Sequence, residues 1–391
     1  MRQPDQGPTT SGAPASRVTD LRSADRGLTL QRLSGRILNR SALARQSLLE
    51  RATADVTTAV GRVGGLQAQY PNEPHIGLAA RLEGFQPSQL NEALDRGDVI
   101  RATLMRGTIH IVTREQAAFA LTSTGLIHHR AWHELIRSKR VPVDAMRVAV
   151  IKWCSEQPRT HQEIMEWLLR RFPEFPEPAH QIWRVVSATG DLIHAAPSGH
   201  FDNFERARYA AAAASVNRCV DLAGADQELV LCHLRAFGPA TVQDVGKWSG
   251  LSLSRIRAAL SRLELGPRFQ DEDGNELFIA DEIRVDGTEP AGARLLPAWD
   301  NVLIGYSSRA RFLDRSLTHE VVHRNGDILP VVLLDGRVAA TWGVLRRPER
   351  WQFRINPLIG LSRTAMGKVE DEAARVADSL SVVSEVLWLN P

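Results

Sequence analysis

Residues 239–248 read PATVQDVGKW, and residues 158–167 read PRTHQEIMEW. Both follow P-x-T-x-Q-acid-aliphatic-x-x-W at an offset of about 80 residues, the size of a small module. In each copy a threonine precedes an acidic residue by three positions, the pattern of a capping box or its aspartate variant. Thr160 with Glu163, and Thr241 with Asp244, therefore each predict a helix start. What repeats is a unit of structure.

The flanks extend that unit. Around the second copy, DQELVLCHLRAFG (226–238) has helical apolar periodicity and stops at Gly238. After a break at Ser249-Gly250, LSLSRIRAALSRL (251–263) predicts a third helix, and RFQDEDGNELFI (268–279) two short strands around an Asp-Gly turn. Helix, helix, helix, hairpin is the order of a winged helix. Around the first copy, MRVAVIKWCSE (146–156), HQEIMEWLLRRF (161–172), AHQIWRVVSATG (179–190) and LIHAAPSGHFD (192–202) give the same order. A divergent unit lies upstream, with helices expected in 41–50, 55–65 and 87–97, then strand, turn, strand in VIRATLMRGTIHIV (99–112). Beyond Gly292 the chain becomes strand-rich, with Asn-Gly and Asp-Gly turns, before a helix near 363–380.

The expected fold class is α+β: three tandem winged-helix (helix-turn-helix) domains, then a small C-terminal β-barrel and a terminal helix. The boundaries are a disordered tail at 1–30, winged helices at 31–140, 141–216 and 217–290, and the barrel domain at 291–391. Length and composition agree. At 391 residues, with 43% hydrophobic and 24% charged residues, the chain suits several soluble domains. No run approaches the roughly 18 apolar residues of a membrane span, and the first thirty residues hold no apolar leader, so a cytoplasmic location is expected. Cys154, Cys219 and Cys232 are odd in number and lack metal-ligand spacing.

The net charge of +3 leans only weakly toward an acidic partner. Its carrier is informative: arginine supplies nearly all the positive charge, for the chain has only four lysines. Arginine suits phosphate forks. Lys247, Arg255, Arg257 and Arg262 follow one another with no acid between Asp244 and Glu264, and Arg101, Arg106 and Arg114 lie between Asp98 and Glu115. Such stretches neutralise phosphates or simply form solvated helix faces. Two of them in one triple-winged-helix chain favour DNA as the partner.

In GRVGGLQAQYPNEPHIG (61–77), Gln67 and Gln69 flank one alanine. A helix would point them about 200° apart, whereas an extended segment places both amides on one face. Gly64 and Gly65 discourage helix before the pair, and Pro71 and Pro74 are expected to keep it from resuming at once. Two such amides either satisfy a buried turn or hold a small polar reactant.

Several of these stretches resemble the bacterial triple-winged-helix DNA glycosylases of the azinomycin-resistance type. The resemblance is carried by NRSALARQSLLE (39–50), VGGLQAQYPNEPHIGLAARLEGF (63–85), VIRATLMRGTIHIV, AFGPATVQDVGKWSGL (236–251), LLPAWDNVLI (295–304) and RNGDILPVVLLDGRVAATW (324–342). It runs from about residue 38 to 380, and the order and spacing of the pieces carry it more than any single piece. What it implies is excision of alkylated purines from double-stranded DNA, including bulky adducts and interstrand crosslinks; no cofactor and no metal are expected. A glutamine, apolar, glutamine motif is catalytic in that family, and Gln67-Ala68-Gln69 matches it. A related branch has aspartate at the second position; this chain has glutamine.

Further expectations concern single residues. Arg106, Arg255, Arg257 and Arg262 are expected to bind DNA. His110 is either structural or a wedge in the minor groove, and Asn301 either caps a turn or tips a hairpin toward DNA. Trp167 and Trp248, at equivalent repeat positions, are core anchors. HEVVH (319–323) fits the H-E-x-x-H pattern of zinc peptidases. That motif needs a sustained helix, however, and Asn325-Gly326 breaks the chain two residues later, with no histidine beyond. A non-enzymatic winged-helix regulator is the other alternative. Regulators of that kind pair to read half-sites, whereas three different units in one chain suit a monomeric clamp. The first lysine of the chain is Lys139, at the far end of the first unit and distant in sequence from Gln67 and Gln69, so a Schiff-base lyase step has no amine near them in sequence.

Overall fold

The structure is a computed structural model that describes residues 30–389 apart from 138–141, 175–182, 184–185, 188, 220, 284 and 348–349. The tail expected at 1–30 falls almost wholly outside the described residues, as does much of the helix expected at 179–190.

The chain opens with strand β1 (Gln31–Arg32) and a helix, Gly35–Arg45, whose Ser34 cap accepts from the Ile37 N–H. Helix Val56–Arg62 follows, capped by Asp55. Then come β2 (Leu66–Gln67), helices Asn72–Ala79 and Pro87–Asp95, and the hairpin of β3 (Val99–Thr103) and β4 (Ile109–Thr113). The two prolines do not delay helix after the glutamines. Pro71 is itself the N-cap and Pro74 sits in the first turn, where backbone N–H groups have no intrahelical acceptor to lose.

Helix Arg114–Arg137 leads into the second unit: helix Val143–Glu156, β5 (Arg159–Thr160), helix His161–Arg171, β6 (Leu192–Ala195) and β7 (Arg208–Ala211). The third is helices Leu222–Phe237, Val242–Ser249 and Leu253–Leu260 with the hairpin of β8 (Phe269–Gln270) and β9 (Glu276–Leu277). Both expected capping boxes form, Thr160 with Glu163 and Thr241 with Asp244. Trp248 is buried beside Phe237 and His233, while Trp167 is half-buried and stacks on Trp153.

The units interlock instead of following one another as beads. One six-stranded sheet runs β2-β4-β3-β6-β7-β5, so the first two hairpins join through the bridge between Arg101 and His194. β1 pairs in parallel with β8, returning the start of the described chain to the third hairpin. One apolar cluster draws in Leu43, Val112, Leu121, Phe237, Trp248, Leu303 and Val331 from all parts of the sequence.

The expected barrel is instead an open five-stranded sheet. Strands β10 (Arg294–Leu296), β11 (Val331–Leu334), β12 (Arg337–Arg347), β13 (Arg350–Pro357) and β14 (Val383–Trp388) lie in that order, and β10 and β14 are its edges. The connection after β13 explains the departure. Helix Arg363–Ser379 precedes β14, which pairs in parallel with β13, and such a crossover lays its helix over one sheet face. Val369, Ala373 and Val376 pack there on Trp342, Trp351 and Phe353, filling the space that closure would enclose. No helix among the described residues is long and apolar enough to cross a membrane.

Candidate active site

The glutamine pair lies where β2 leaves the six-stranded sheet. Gln67 is paired with His110 of β4, and the Ala68 N–H donates to the Ile109 carbonyl at 2.7 Å, so the backbone is extended through both. The chain then bends at Gln69 and Tyr70 before helix Asn72–Ala79. Gln67 is half-buried and Gln69 exposed.

A tight turn delivers this segment. Gly65 has φ +82°, and a Cβ there would stand 2.6 Å from the Val112 side chain, so only glycine fits. The turn is then fastened from the far end of the sequence. Asn301 is buried, and its amide nitrogen donates to the carbonyls of Gly65 at 2.8 Å and Val63 at 3.0 Å and to Gln46 Oε1 at 3.2 Å. Asn301 therefore points inward and holds the turn; it is not a DNA contact at a hairpin tip.

Two arginines stand behind the glutamines. Arg101 of β3 is buried and donates from Nη2 to the carbonyl of Ala68 at 3.0 Å. Its Nη1 meets Ser198 Oγ at 2.6 Å and His194 Nδ1 at 2.8 Å. Burial, with the nearby Arg101 charge, holds the His194 pKa well below its ordinary value, so the ring is neutral and Nδ1 accepts. Arg106 occupies the β3–β4 turn with φ +57°, a left-handed conformation uncommon outside glycine. It donates from Nη2 to Gln67 Oε1 at 3.0 Å and from Nη1 to the carbonyl of Trp248, tying the third unit to the first. Burial lowers both guanidinium pKa values to about 10, which leaves them charged. No carboxylate pairs with either among the described residues.

That arrangement orients Gln67. Arginine has only donors, so the amide oxygen must face Arg106 and the NH₂ is left to donate elsewhere. His110, expected as either a structural residue or a wedge in the groove, is 2% exposed and turned inward. Its Nδ1 meets the Thr108 carbonyl at 3.0 Å and its Nε2 lies 3.5 Å from Arg106. Burial first, then the Arg106 charge, pushes its pKa down to about 3, and it stays neutral. His110 is part of the wall and not a wedge.

The arginines expected on the Leu253–Leu260 helix divide. Arg255 is engaged by the carboxylate of Asp226, with Nε at 2.7 Å from Oδ2 and Nη2 on Oδ1, and also donates to the Ser123 carbonyl at 3.0 Å. Its charge is neutralised inside the protein. Arg257, Arg262 and Lys247 are exposed. HEVVH sits on a four-residue helix, Thr318–Val321, that ends before its second histidine. His323 lies in a turn, where its N–H donates to the Asp327 carbonyl, so the two histidines do not share a helical face.

Sequence reasoning missed a second layer beside the glutamines. Tyr70 is 55% exposed and stacks on Trp299 with ring centroids 5.6 Å apart. Behind Trp299, Asp300 makes a two-pronged ion pair with Arg81, at 2.8 and 2.9 Å, with both side chains 1% exposed. Glu73 accepts from the Ala298 N–H at 2.8 Å. A large cavity, about 840 Å³, is lined by Thr57, Arg62, Asp98, Arg114, Glu228 and Arg235 and touches neither glutamine. The bend at Gln69 and Tyr70 is exposed to solvent instead.

Burial raises the Glu73 carboxyl to about 7; the Ala298 N–H and Arg346 oppose the rise and Asp300 assists it. A carboxyl whose folded pKa exceeds its unfolded value, near 4.5, stabilises fully below that value, and the contribution is lost as pH rises through about 7. Glu73→Gln should therefore flatten the fall in stability between pH 5 and 8, read from urea midpoints. Parallel profiles for the two proteins would refute the assignment.

The sequence model of the family described as "DNA glycosylase AlkZ-like" matches residues 60–379. The chain belongs to the AlkZ-like DNA glycosylase family. It is similar to an interstrand DNA cross-link repair glycosylase of Streptomyces sahachiroi, 24% identical over 356 residues, covering 87% of this chain and 95% of that protein. The solved structure of the Streptomyces sahachiroi DNA glycosylase AlkZ shares the fold, with a TM-score of 0.77 at 22% identity, over 91% of this chain and all of that one.

Proposed function

We propose that this DNA glycosylase hydrolyses the N-glycosidic bond of N7-alkylated purines in duplex DNA, among them the linked purines of an interstrand crosslink, and leaves an intact abasic site. On this reading the three helix–hairpin units are winged helices that clamp the duplex as a monomer. The observation that carries the proposal is the Gln67-Ala68-Gln69 strand end, fixed on its backbone by Ile109 and Arg101 and on one side chain by Arg106.

Alkylation at N7 makes the purine cationic and a good leaving group. The C1′–N9 bond breaks with its electron pair passing to the base, and the sugar becomes oxocarbenium-like. A water then attacks C1′ and releases a proton to solvent. What the protein supplies is position. Gln69, exposed and without a hydrogen-bond partner among the described residues, accepts from that water. The Gln67 NH₂, on the side of the amide that does not meet Arg106, anchors a backbone phosphate or the partner amide. Neutral amides suit a bond nearly broken at attack and avoid burying another charge. The positive charges of Arg101 and Arg106, which no carboxylate pairs among the described residues, favour the phosphates flanking the lesion.

The test uses the full chain with a duplex carrying one N7-methylguanine. Mass analysis should find the free base, and the strand should become alkali-labile without an enzymatic nick. Failure to release base, or a covalent adduct trapped by borohydride, would overturn the proposal. A second result is expected at the DNA surface. Arg257→Ala with Arg262→Ala should weaken damaged and undamaged duplexes about equally, and reduce the slope of log K against log salt by about 2. An unchanged slope would place the DNA on another face.

A further inference from the structure

Tyr70 immediately follows Gln69 on the exposed bend, and its ring is stacked on Trp299 at an interplanar angle of 25°. One face of the tyrosine is thus covered by indole, and the 55% exposure leaves the other open to solvent. Large apolar rings are not left in such a position by lack of a core, for Trp299 is half-buried against the central cluster. The surroundings hold the pair firmly. Trp299 has φ +51°, an outlier for a bulky residue, and is flanked by two anchored neighbours. Ala298 is held by Glu73, and Asp300 by the buried Arg81. Strain retained beside a candidate active site invites a functional reading.

We propose that Tyr70, backed by Trp299, is the residue that selects the cationic form of the damaged base. The inference rests on the glycosylase reading above. An N7-alkylated purine differs from a normal purine by a full positive charge spread over a flat ring. The face of an aromatic ring is electron-rich and attracts a cation placed over it. Stacking the tyrosine on indole keeps that face rigid and keeps the ring from folding onto the protein. Hydrogen bonds to base edges would be needed to read an uncharged purine, whereas an aromatic face reads charge and flatness and tolerates a bulky N7 substituent. The same device therefore accepts different adducts while passing over undamaged guanine.

The experiment compares three duplexes: one with 2′-fluoro-7-methylguanine, which is cationic and resists cleavage, one with neutral 7-deaza-7-methylguanine, and one undamaged. The wild-type protein should bind the cationic lesion about tenfold more tightly than its neutral isostere. Tyr70→Leu and Trp299→Leu should remove that preference, Tyr70→Phe should keep it, and affinity for undamaged duplex should stay constant throughout. Melting curves establish that each variant is folded; Tyr70, being exposed, is the safer replacement. A preference that survives in folded Tyr70→Leu overturns the inference, as does an equal loss on all three duplexes. Excision of 7-methylguanine by the wild-type protein, measured in parallel, separates the two readings. If the base is never released the glycosylase reading fails, whereas release with an unaltered preference in Tyr70→Leu defeats this inference alone.

Discussion

Alanine in place of Gln69 is expected to slow release of an alkylated base about 10²-fold, the scale of one lost oriented hydrogen-bonding group in a transition state. Affinity for the lesion duplex should barely move, because the interaction matures with the attacking water and not on binding. Gln67→Ala should cost a similar factor by a different route, since it also leaves Arg106 without its acceptor at 3.0 Å. The double variant should lose less than the product of the two effects, for a water already misplaced cannot be misplaced twice. Gln69→Asp is the sharper probe. A carboxylate is the better base, so excision of N7-methylguanine should persist, while a bulky crosslink should suffer because the lesion seated over Gln69 displaces the water that would solvate the charge. Single-turnover rates decide the matter. Both alanine variants excising at the wild-type rate, with normal melting curves, would reduce the strand end to a structural turn.

The largest effect on stability is expected at Asp300. Replacement by alanine leaves the Arg81 guanidinium buried without its carboxylate, a change that costs about 3–5 kcal/mol in comparable buried pairs. Part of the site should go with it, since Asp300 lies between Trp299 and Asn301. Asp300→Asn keeps the shape and removes the charge, so it should fall between the wild type and alanine. Urea midpoints measured at constant m give the comparison. Equal midpoints for all three proteins would show that Arg81 finds another partner.

What could be read in advance follows the range of the interaction. The caps at Thr160 and Thr241 depend on a residue three positions away and form as expected. The extended backbone at Gln67 and Ala68 follows from Gly64 and Gly65, again a local matter, whereas the bend that begins at Gln69 had no signal in the pattern. Arg255 and Asn301 read as surface residues because their partners are remote: Asp226 lies a helix away, and Gly65 is separated from Asn301 by 236 positions. Arg101 had a faint signal, a single charge in the strand VIRAT whose neighbours are apolar. Its partners Ala68 and His194 lie on opposite sides of it in sequence, and pattern alone names neither. The barrel misled for a related reason. Strand periodicity is local, but whether a sheet closes depends on where the crossover helix lands.

The Asn301 fastening also bears on biosynthesis. A ribosome releases the glutamines long before residue 301, and loops that close over such separations form slowly. Until Asn301 arrives, the Gly65 carbonyl lacks its donor and Trp299 is not there to back Tyr70. β1 likewise waits for β8. The glutamine turn is therefore complete only when about three-quarters of the chain has been made, and an interrupted translation product carries the glutamines without the contact that fastens their turn.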